Sequence, residues 1–197
     1  MQSLSSWRKP VSHKSFGIEI ECFVTSYISP DEYRGFFYAT TDGSLRGENH
    51  FTSPREFVSQ PLPLHWLIKE INRLGRDLNW SVNSSCGIHV HVSKKWCSDK
   101  KGKTILKFLR KFYEAYPMDY KMIFGRLPNR YCCTNVDAGR YNAVNVTNDS
   151  TVEFRMFASG YVRWAQYCVY MTNYLVENCN HLTRDSVVAA YDLFRKE

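Results

Sequence analysis

The stretch FGIEIECFV, Phe16 to Val24, alternates apolar residues with polar or small ones along its whole length. Because successive side chains on a β-strand point to opposite faces of a sheet, this alternation predicts a strand with two different faces. One of these faces is apolar and consists of Phe16, Ile18, Ile20, Cys22 and Val24. The opposite face carries Glu19 and Glu21, about 7 Å apart along the strand. Gly17 and Phe23 share that opposite face.

Two later stretches have the same alternation. GIHVHVS, which begins at Gly87, places His89 and His91 on the face opposite its isoleucine and valines. TVEFRMF places Glu153 and Arg155 opposite the apolar side chains of its own strand. Each of the three predicted strands therefore combines an apolar face for a core with a pair of polar groups on the other side.

A sheet built from these strands would bring several carboxylates onto one face. Carboxylates in a shared cleft repel each other and lose solvation, so they either take up protons or bind a cation. Oxygen-rich ligand sets favour Mg²⁺ or Mn²⁺, and a mixed histidine and glutamate set permits Mn²⁺ or Zn²⁺. Glu56, on a predicted short strand Glu56–Ser59, and Asp42, in the turn TDGSL, are further candidates. Arg155 beside these groups predicts a phosphate or another oxyanion as the third component.

The rest of the chain predicts an α+β fold with a mainly antiparallel sheet. Apolar residues have helical spacing in residues 63–78, in the basic stretch 103–113 and in the C-terminal tail. Residues 141–147 and 151–157 predict two strands joined by the turn NDS, which makes an antiparallel hairpin. Residues 117–140 show no clear pattern. Strands and helices do not alternate as βαβ units, which favours the α+β class.

Length and composition narrow the class of protein. The 197 residues predict a single domain, residues 1–197, with residues 1–14 as a flexible N-terminal segment. The formal net charge of +7 predicts an anionic partner such as a nucleotide, a nucleic acid or an acidic polymer. Seven cysteines without a CxxC pair indicate free thiols and a reducing, cytoplasmic setting. The absence of a secretory signal pattern or a long apolar run predicts no membrane partner.

The basic stretch that follows GIHVHVS invites two interpretations. CSDKKGKT, from Cys97, ends like a phosphate-binding loop, but that motif requires a glycine where the cysteine stands. The stretch also has the pattern of an amphipathic helix with a solvated basic face. Its predicted inward side chains are Ile105, Leu106, Phe108, Leu109 and Phe112.

Five motifs in one order resemble those of the amidoligase family. They are FGIEIE, TDGSL, REFVSQPL, CGIHVHVS and TVEFRMF, and the resemblance covers the chain from about Phe16 to Gly160. The family is part of the carboxylate–amine ligase superfamily, with glutamine synthetase and glutamate–cysteine ligase. The resemblance implies a curved antiparallel sheet whose concave face binds ATP and two or three divalent cations, Mg²⁺ or Mn²⁺, with helices on the convex face. It also implies a reaction in which ATP phosphorylates a carboxylate and an amine then displaces phosphate.

The resemblance assigns metal ligands one by one. Glu19 and Glu21 match the paired metal-binding glutamates of the family, and Glu56 matches the glutamate of the next strand. His89 matches the histidine that binds a metal between the nucleotide phosphates and the substrate, and Glu153 matches the late metal ligand.

The resemblance also assigns residues to the phosphates and to the chemistry. His91 matches a position that contacts phosphate, and Arg155 matches the arginine that steadies the transferred phosphoryl group. Arg140, just before YNAVN, is a second candidate for phosphate binding. Asp42 matches a residue that positions a metal or the substrate, and Asp42 and Glu56 are candidates for the base that deprotonates the amine. The expected substrates are a carboxylate and an amine, either of which could belong to a peptide, a protein or another polyanion.

Two other functions stay open on the sequence alone. His89, His91 and Glu153 could bind one Zn²⁺ or Fe²⁺ in a hydrolase or oxygenase, although that leaves the paired glutamates and Arg155 without a role. The charge and the aromatic residues could also belong to a nucleic-acid-binding module that stacks bases. Most of those aromatic residues fall on apolar faces, which disfavours the second alternative.

Overall fold

The computed structural model describes residues 14–25, 28–29, 32–41, 43–46, 52–135 and 137–196. Two predictions fall outside this part of the chain. Asp42 is not among the described residues, and the predicted N-terminal segment 1–14 is represented by Lys14 alone.

The described residues form one sheet and five helices, which confirms the α+β class. The strands are β1 Ser15–Val24, β2 Tyr33–Arg34, β3 Phe37–Thr40, β4 Ser53–Ser59, β5 Leu62–Pro63, β6 Trp80–Ser81, β7 Gly87–Ser93, β8 Val144–Asn145 and β9 Thr151–Ala158. The helices are α1 Leu64–Asp77, α2 Asp99–Ala115, α3 Pro117–Phe124, α4 Val162–Glu177 and α5 Arg184–Lys196. The strand order is β2-β3-β4-β1-β7-β9-β8, and β5 and β6 also pair with β1. Every pairing in this sheet is antiparallel.

The register of the sheet aligns the polar faces of neighbouring strands. Glu19 on β1 lies opposite His89 on β7, and Glu21 lies opposite Glu56 on β4. His91 in turn lies opposite Glu153 on β9. Because directly opposed residues in a sheet point to the same face, the register gathers groups that are far apart in sequence.

The helices cover the other face of the sheet and bury its apolar side chains. The main core combines the apolar face of β1 with inward side chains of the helices, such as Leu67 and Ile71 of α1 and Ile105 and Leu109 of α2. The predicted amphipathic pattern of α2 is confirmed, with Lys103 and the neighbouring basic side chains exposed. The glutamates and histidines lie on the face without helices, where Glu21, His89 and Glu153 are nevertheless buried.

The start of helix α2 excludes a phosphate-binding loop at CSDKKGKT. Ser98 caps the helix by accepting a hydrogen bond from the backbone N–H of Lys101, and the helix begins at Asp99. Most of the stretch is therefore helical and cannot wrap a phosphate as a loop does.

Helix α3 lies within residues 117–140, where the sequence showed no pattern. It begins at Pro117, a residue favoured in the first turn, and ends at Gly125, which has φ 77°. A left-handed residue at a helix end favours glycine, because other residues meet a steric penalty there. The helix buries Tyr120, Ile123 and Phe124, and it is too short for its spacing to stand out in the sequence.

Strands β4, β8 and β9 differ from the predictions in detail. The predicted strand Glu56–Ser59 begins earlier, at Ser53, because β4 pairs with β1 as far as Val24. The predicted hairpin is antiparallel, but its first strand is reduced to Val144–Asn145 and follows a 3₁₀ turn, Gly139–Tyr141.

Strand β9 contains a bulge that simple alternation does not predict. Ile88 pairs with Phe157, whereas Val90 pairs with Phe154, so β9 has one more residue than β7 between the two pairs. Met156 and Phe157 are consequently both buried although they are adjacent. A bulge of this kind bends a strand and redirects a neighbouring side chain, here at Arg155.

The seven cysteines are all unpaired, as predicted. No helix in the described part of the chain is long and apolar enough to span a bilayer.

Candidate metal and phosphate site

A cleft of about 700 Å³ lies on the open face of the sheet. It brings together seven of the nine residues predicted for the site. These are Glu19, Glu21, Glu56, His89, Arg140, Glu153 and Arg155. His91 lines a second, smaller cavity of about 190 Å³, and Glu19 lines both. Asp42, the ninth, is outside the described residues.

His89 lies at the centre of a cluster of carboxylates. Its Nδ1 is 3.0 Å from Oε2 of Glu19 and 3.5 Å from Oε1 of Glu153. Its Nε2 is 3.7 Å from Oε1 of Glu21. One imidazole on β7 thus contacts carboxylates from β1 and β9, as the register requires.

His91 forms the second imidazole contact of Glu19. Its Nε2 is 3.1 Å from Oε1 of Glu19, and its Nδ1 is 3.2 Å from the hydroxyl of Thr151. The two oxygens of Glu19 are therefore shared between two histidines. This carboxylate joins the cleft to the small cavity.

Charges within the cluster shift the pKa values of Glu19, His91 and Glu153 in the direction that favours their charged forms. Burial by itself would raise the pKa of Glu19, but the charge of His91 and hydrogen bonds from His89 and His91 hold that pKa well below its usual value. Burial opposes the charging of His91, yet Glu19 and Glu153 raise the pKa of that imidazole. The pKa of Glu153 is lowered in spite of burial, because His91, His89 and Arg155 stabilise its charged form. The two carboxyls and His91 thus stabilise one another's charged forms.

Two groups of side chains have the spacing to bind a metal ion. The first group is Glu19, Glu56 and His89, and the second is Glu19, His91 and Glu153. Within each group the ligand atoms lie within 4.8 Å of one another. Glu19 belongs to both groups, and each contains two carboxylates and one histidine. This donor set suits Mn²⁺, Zn²⁺ or Mg²⁺, and the shared carboxylate is suited to bridging two ions.

Glu21 has a contact that no sequence pattern indicated. One of its oxygens accepts a hydrogen bond from the backbone N–H of Gly87. A Cβ atom at residue 87 would lie 3.3 Å from that oxygen and 3.1 Å from the guanidinium of Arg126. Residue 87 is therefore a glycine where the backbone approaches two charged side chains closely.

Glu153 is held in place by amides as well as by charges. Asn145 donates a hydrogen bond from Nδ2 to Oε2 of Glu153 at 2.9 Å, and Asn148 donates to the same oxygen at 3.4 Å. The other oxygen pairs with the guanidinium of Arg155. Asn145 was not among the residues predicted for the site, although the predicted hairpin placed its strand beside that of Glu153.

Arg126 is a second residue that the sequence did not reveal. It follows Gly125 directly, lines the cleft and donates a hydrogen bond to the backbone carbonyl of Arg155. Its position under the bulge of β9 supports the backbone from which Arg155 extends. Only the fold, and no local pattern, brings these two residues together.

No family model, curated protein or solved structure matches the chain. The resemblance to amidoligases therefore rests on the motifs and their order, and the geometry of the cleft is interpreted on its own terms.

The charged pair of His91 and Glu19 predicts a pH-dependent stability. A raised pKa means that the contribution of His91 is complete below about pH 6.5, its unfolded pKa, and disappears as the pH rises through its folded pKa. We expect His91→Gln to lower the free energy of unfolding of metal-free protein by about 1.5–3 kcal/mol at pH 6, and by less at pH 9. Urea denaturation in EDTA at both values measures this.

The exposed histidine of α1, His65, supplies the matched control. His65→Gln should change the free energy of unfolding by less than about 0.5 kcal/mol at either pH. A destabilisation by His91→Gln that grows from pH 6 to pH 9 would contradict the charged pair.

Proposed function

We propose that this protein is an ATP- and divalent-metal-dependent ligase that joins a carboxylate to an amine through an acyl phosphate. One observation supports this most strongly. Four strands contribute Glu19, Glu56, His89 and Glu153 to one cleft that Arg155 also lines. With His91 from the adjoining cavity, these residues make two candidate ligand groups that share Glu19. The order of the motifs in the sequence, which resembles that of amidoligases, independently supports the same chemistry. The proposal includes the curved, glutamine synthetase-like form of the sheet.

Different residues of the cluster would bind the two cations and the phosphates. Glu19, Glu56 and His89 would hold one cation, and Glu19 with Glu153 would hold the other. Bound cations would neutralise phosphate oxygens and so supply electrostatic stabilisation of phosphoryl transfer. His91, which the resemblance assigns to the phosphates, would lie beside the second cation, and its raised pKa favours the protonated form that attracts phosphate oxygens.

The reaction needs two steps and no covalent enzyme intermediate. An oxygen of the substrate carboxylate attacks the γ-phosphorus of ATP, the bond to the β–γ bridging oxygen breaks, and ADP leaves. The amine then attacks the acyl carbon, and inorganic phosphate leaves with the electrons of the carbon–oxygen bond. Arg155 is placed beside Glu153 to stabilise the charge that develops on the transferred phosphoryl group. Glu56, a candidate base for the amine proton, lines the same cleft.

The order of residues along β9 defines two ends of the cluster. The cleft face of β9 carries Thr151, Glu153 and Arg155 in succession, and Thr151 lines the small cavity. The small cavity therefore lies at one end of the cluster and Arg155 at the other. Phosphoryl transfer keeps the leaving and attacking oxygens roughly in line. ADP should consequently leave toward one end, with the carboxylate arriving from the other.

The small cavity suits the uncharged part of the nucleotide. Its lining combines hydroxyl groups with apolar atoms, and its charged residues, Glu19 and His91, belong to the cluster at its border. The lining hydroxyls are those of Ser15, Ser59, Ser93 and Thr151. A nucleobase is neutral and offers hydrogen-bonding edges, so we place the nucleoside here and the triphosphate on the cluster.

Gly17 allows this placement to be tested. A Cβ at residue 17 would lie 3.6 Å from Cβ of His91, an ordinary contact, so a side chain fits without forcing the backbone. We expect Gly17→Val to fill part of the small cavity and to weaken Mn²⁺–ATP binding at least tenfold, a loss of about 1.4 kcal/mol. Inorganic tripolyphosphate, which has no nucleoside, should bind to the variant within about twofold of wild type. Calorimetric titration with both ligands measures the difference, and equal weakening of the two would contradict the placement.

The two alternative functions receive less support from the geometry. A single-metal hydrolase using both histidines needs them on one ion, but each candidate metal group among the described residues contains one histidine. A base-stacking nucleic-acid module needs exposed aromatic faces near basic residues, whereas the aromatic residues of the basic helix α2, Phe108, Phe112 and Tyr113, are buried or half-buried.

Hydroxylamine provides a direct test of the proposed reaction. It attacks an acyl phosphate as an amine would and yields a hydroxamate that Fe³⁺ colours. Pooled carboxylic acids with ATP, Mg²⁺ and hydroxylamine should give hydroxamate together with an equal amount of ADP. ADP formation that is independent of any carboxylate would contradict a ligase.

A further inference from the structure

Four residues at the Arg155 end of the cleft form a surface that the proposed mechanism does not use. They are Arg130, Tyr131, Arg140 and Tyr141, and we call them the arginine–tyrosine ledge. The guanidinium of Arg130 lies 4.7 Å from the centre of the Tyr131 ring, and that of Arg140 lies 4.8 Å from the Tyr141 ring. The two tyrosine rings pack edge to face with their centres 6.3 Å apart.

Backbone hydrogen bonds fix the two turns that carry the ledge. Asn129 and Cys132 exchange two hydrogen bonds of 3.1 Å across the turn that contains Arg130 and Tyr131. The N–H of Cys133 donates to the carbonyl of Tyr141 at 2.7 Å, which joins this turn to the 3₁₀ turn that contains Arg140 and Tyr141. The ledge is therefore a built surface, and its side chains are ordered by stacking before a ligand arrives.

The arginines of the ledge have unused charge. No ion pair joins Arg130 or Arg140 to a carboxylate within the described residues. Arg140 donates one guanidinium N–H to the Tyr141 hydroxyl at 2.7 Å. A guanidinium has several N–H groups, so both arginines retain donors that can bind carboxylate or phosphate oxygens in pairs. Both tyrosines are partly exposed, at 44% and 36%, and each has an arginine over its ring.

The ledge adjoins the position from which the carboxylate substrate must arrive. Nε of Arg155 donates a hydrogen bond to the backbone carbonyl of Tyr131 at 3.3 Å, so the ledge is in direct contact with the proposed phosphoryl-transfer arginine. The opposite end of the cluster opens into the small cavity. An acyl donor entering at the Arg155 end would pass over Arg130 and Arg140.

The charge of the cleft agrees with an acidic substrate. Five arginines and four glutamates line it. Two divalent cations on the glutamates would leave the arginines to the anionic ligands. A nucleoside triphosphate balances most but not all of five guanidinium charges, and the remainder attracts further negative charge.

We propose that the ledge recognises a second anionic group on the carboxylate substrate, and that this substrate is an acidic peptide. The inference rests on the proposed ligase function for the identity of the ligand as substrate. The reacting carboxylate would lie at Glu153 and Arg155, and a neighbouring acidic side chain or terminus would be held by Arg130 and Arg140.

Binding of short peptides tests the ledge without any turnover. The probes are fluorescent triglutamate and triglutamine, titrated by anisotropy in EDTA with no nucleotide present. Triglutamate should bind at least about tenfold more tightly than triglutamine, because each charge-assisted pair contributes strongly. Arg130→Gln and Tyr131→Leu should each reduce triglutamate affinity about tenfold. Arg110→Gln, on the exposed face of α2, should leave it unchanged.

Each outcome has a defined meaning. Equal binding of the two peptides, or triglutamate binding that Arg130→Gln leaves unchanged, would overturn the proposal. Oligodeoxythymidylate that binds more tightly than triglutamate, with Arg130→Gln losing it, would overturn it in favour of nucleic acid. Because nucleotide and metal are left out, failure of the ligase reaction would not change these results. Conversely, hydroxamate formation would still be expected if triglutamate did not bind to the ledge.

Discussion

We expect Mn²⁺ with ATP to raise the melting temperature of the wild-type protein, and we expect Glu19→Gln to abolish that rise. Glu19 belongs to both candidate metal groups, and each of its oxygens contacts a different histidine. Glutamine has nearly the same shape but no charge, so neither group keeps two ionised ligands. Loss of an outer-shell partner already weakens metal sites by about 10–100-fold, and loss of a shared ligand should exceed that. A thermal-shift titration with Mn²⁺, with ATP present and absent, measures the effect.

Two further variants make this result specific. Glu153→Gln affects one group only and should reduce the shift without removing it. Glu114→Gln lies on the exposed face of α2, paired with Arg110, and should leave the shift at its wild-type value. An unchanged shift in Glu19→Gln, with the protein still folded, would exclude the proposed site.

We expect Arg155→Ala to retain Mn²⁺ and ATP binding but to lose phosphoryl transfer. Its guanidinium pairs with Glu153 and is not itself a metal ligand, so removing it leaves every candidate ligand in place. Removal of one group that stabilises a developing charge lowers rates by about 10²–10³, and arginines in phosphoryl transfer contribute about 10³–10⁵. We therefore expect hydroxamate formation to fall by at least about 10³.

The measurement combines the hydroxamate assay with Mn²⁺ titration of the same protein samples. Arg155→Lys should recover part of the rate, since it keeps the charge but not the paired geometry of guanidinium. Arg110→Ala, remote on α2, should behave as wild type in both assays. Loss of metal binding in Arg155→Ala as large as in Glu19→Gln would show that the arginine organises the metal site instead.

The strands that carry the site were predictable because apolar and polar side chains alternate along them. Alternation placed Glu19, Glu21, His89, His91 and Glu153 on polar faces, and each lines the cleft or the small cavity. Period-two patterns report which face a residue occupies whenever one side of a sheet is buried. They do not report register, so the sharing of Glu19 by two groups was visible only in the fold.

The end of the cleft near Arg155 was not predictable for a different reason. Residues 126–135 and 137–141 reach it through short turns and a 3₁₀ turn, whose conformations depend on tertiary contacts and leave no periodic pattern. The bulge in β9 is equally invisible to alternation, yet it shapes the backbone beneath Arg155. Arg126, Arg130, Tyr131 and Tyr141 were missed on this account, whereas Arg140 was predicted as a site residue. Asn145 was within reach, because the predicted hairpin already placed it near Glu153.

Electron paramagnetic resonance of Mn²⁺ tests the central claim most directly. The claim is that Glu19 joins two cation sites that hold a triphosphate between them. Titration with a non-hydrolysable ATP analogue present should show two ions per chain with spin–spin coupling, and the coupling should vanish in Glu19→Gln. One isolated ion, or Mn²⁺ binding that the nucleotide does not strengthen, would contradict the account.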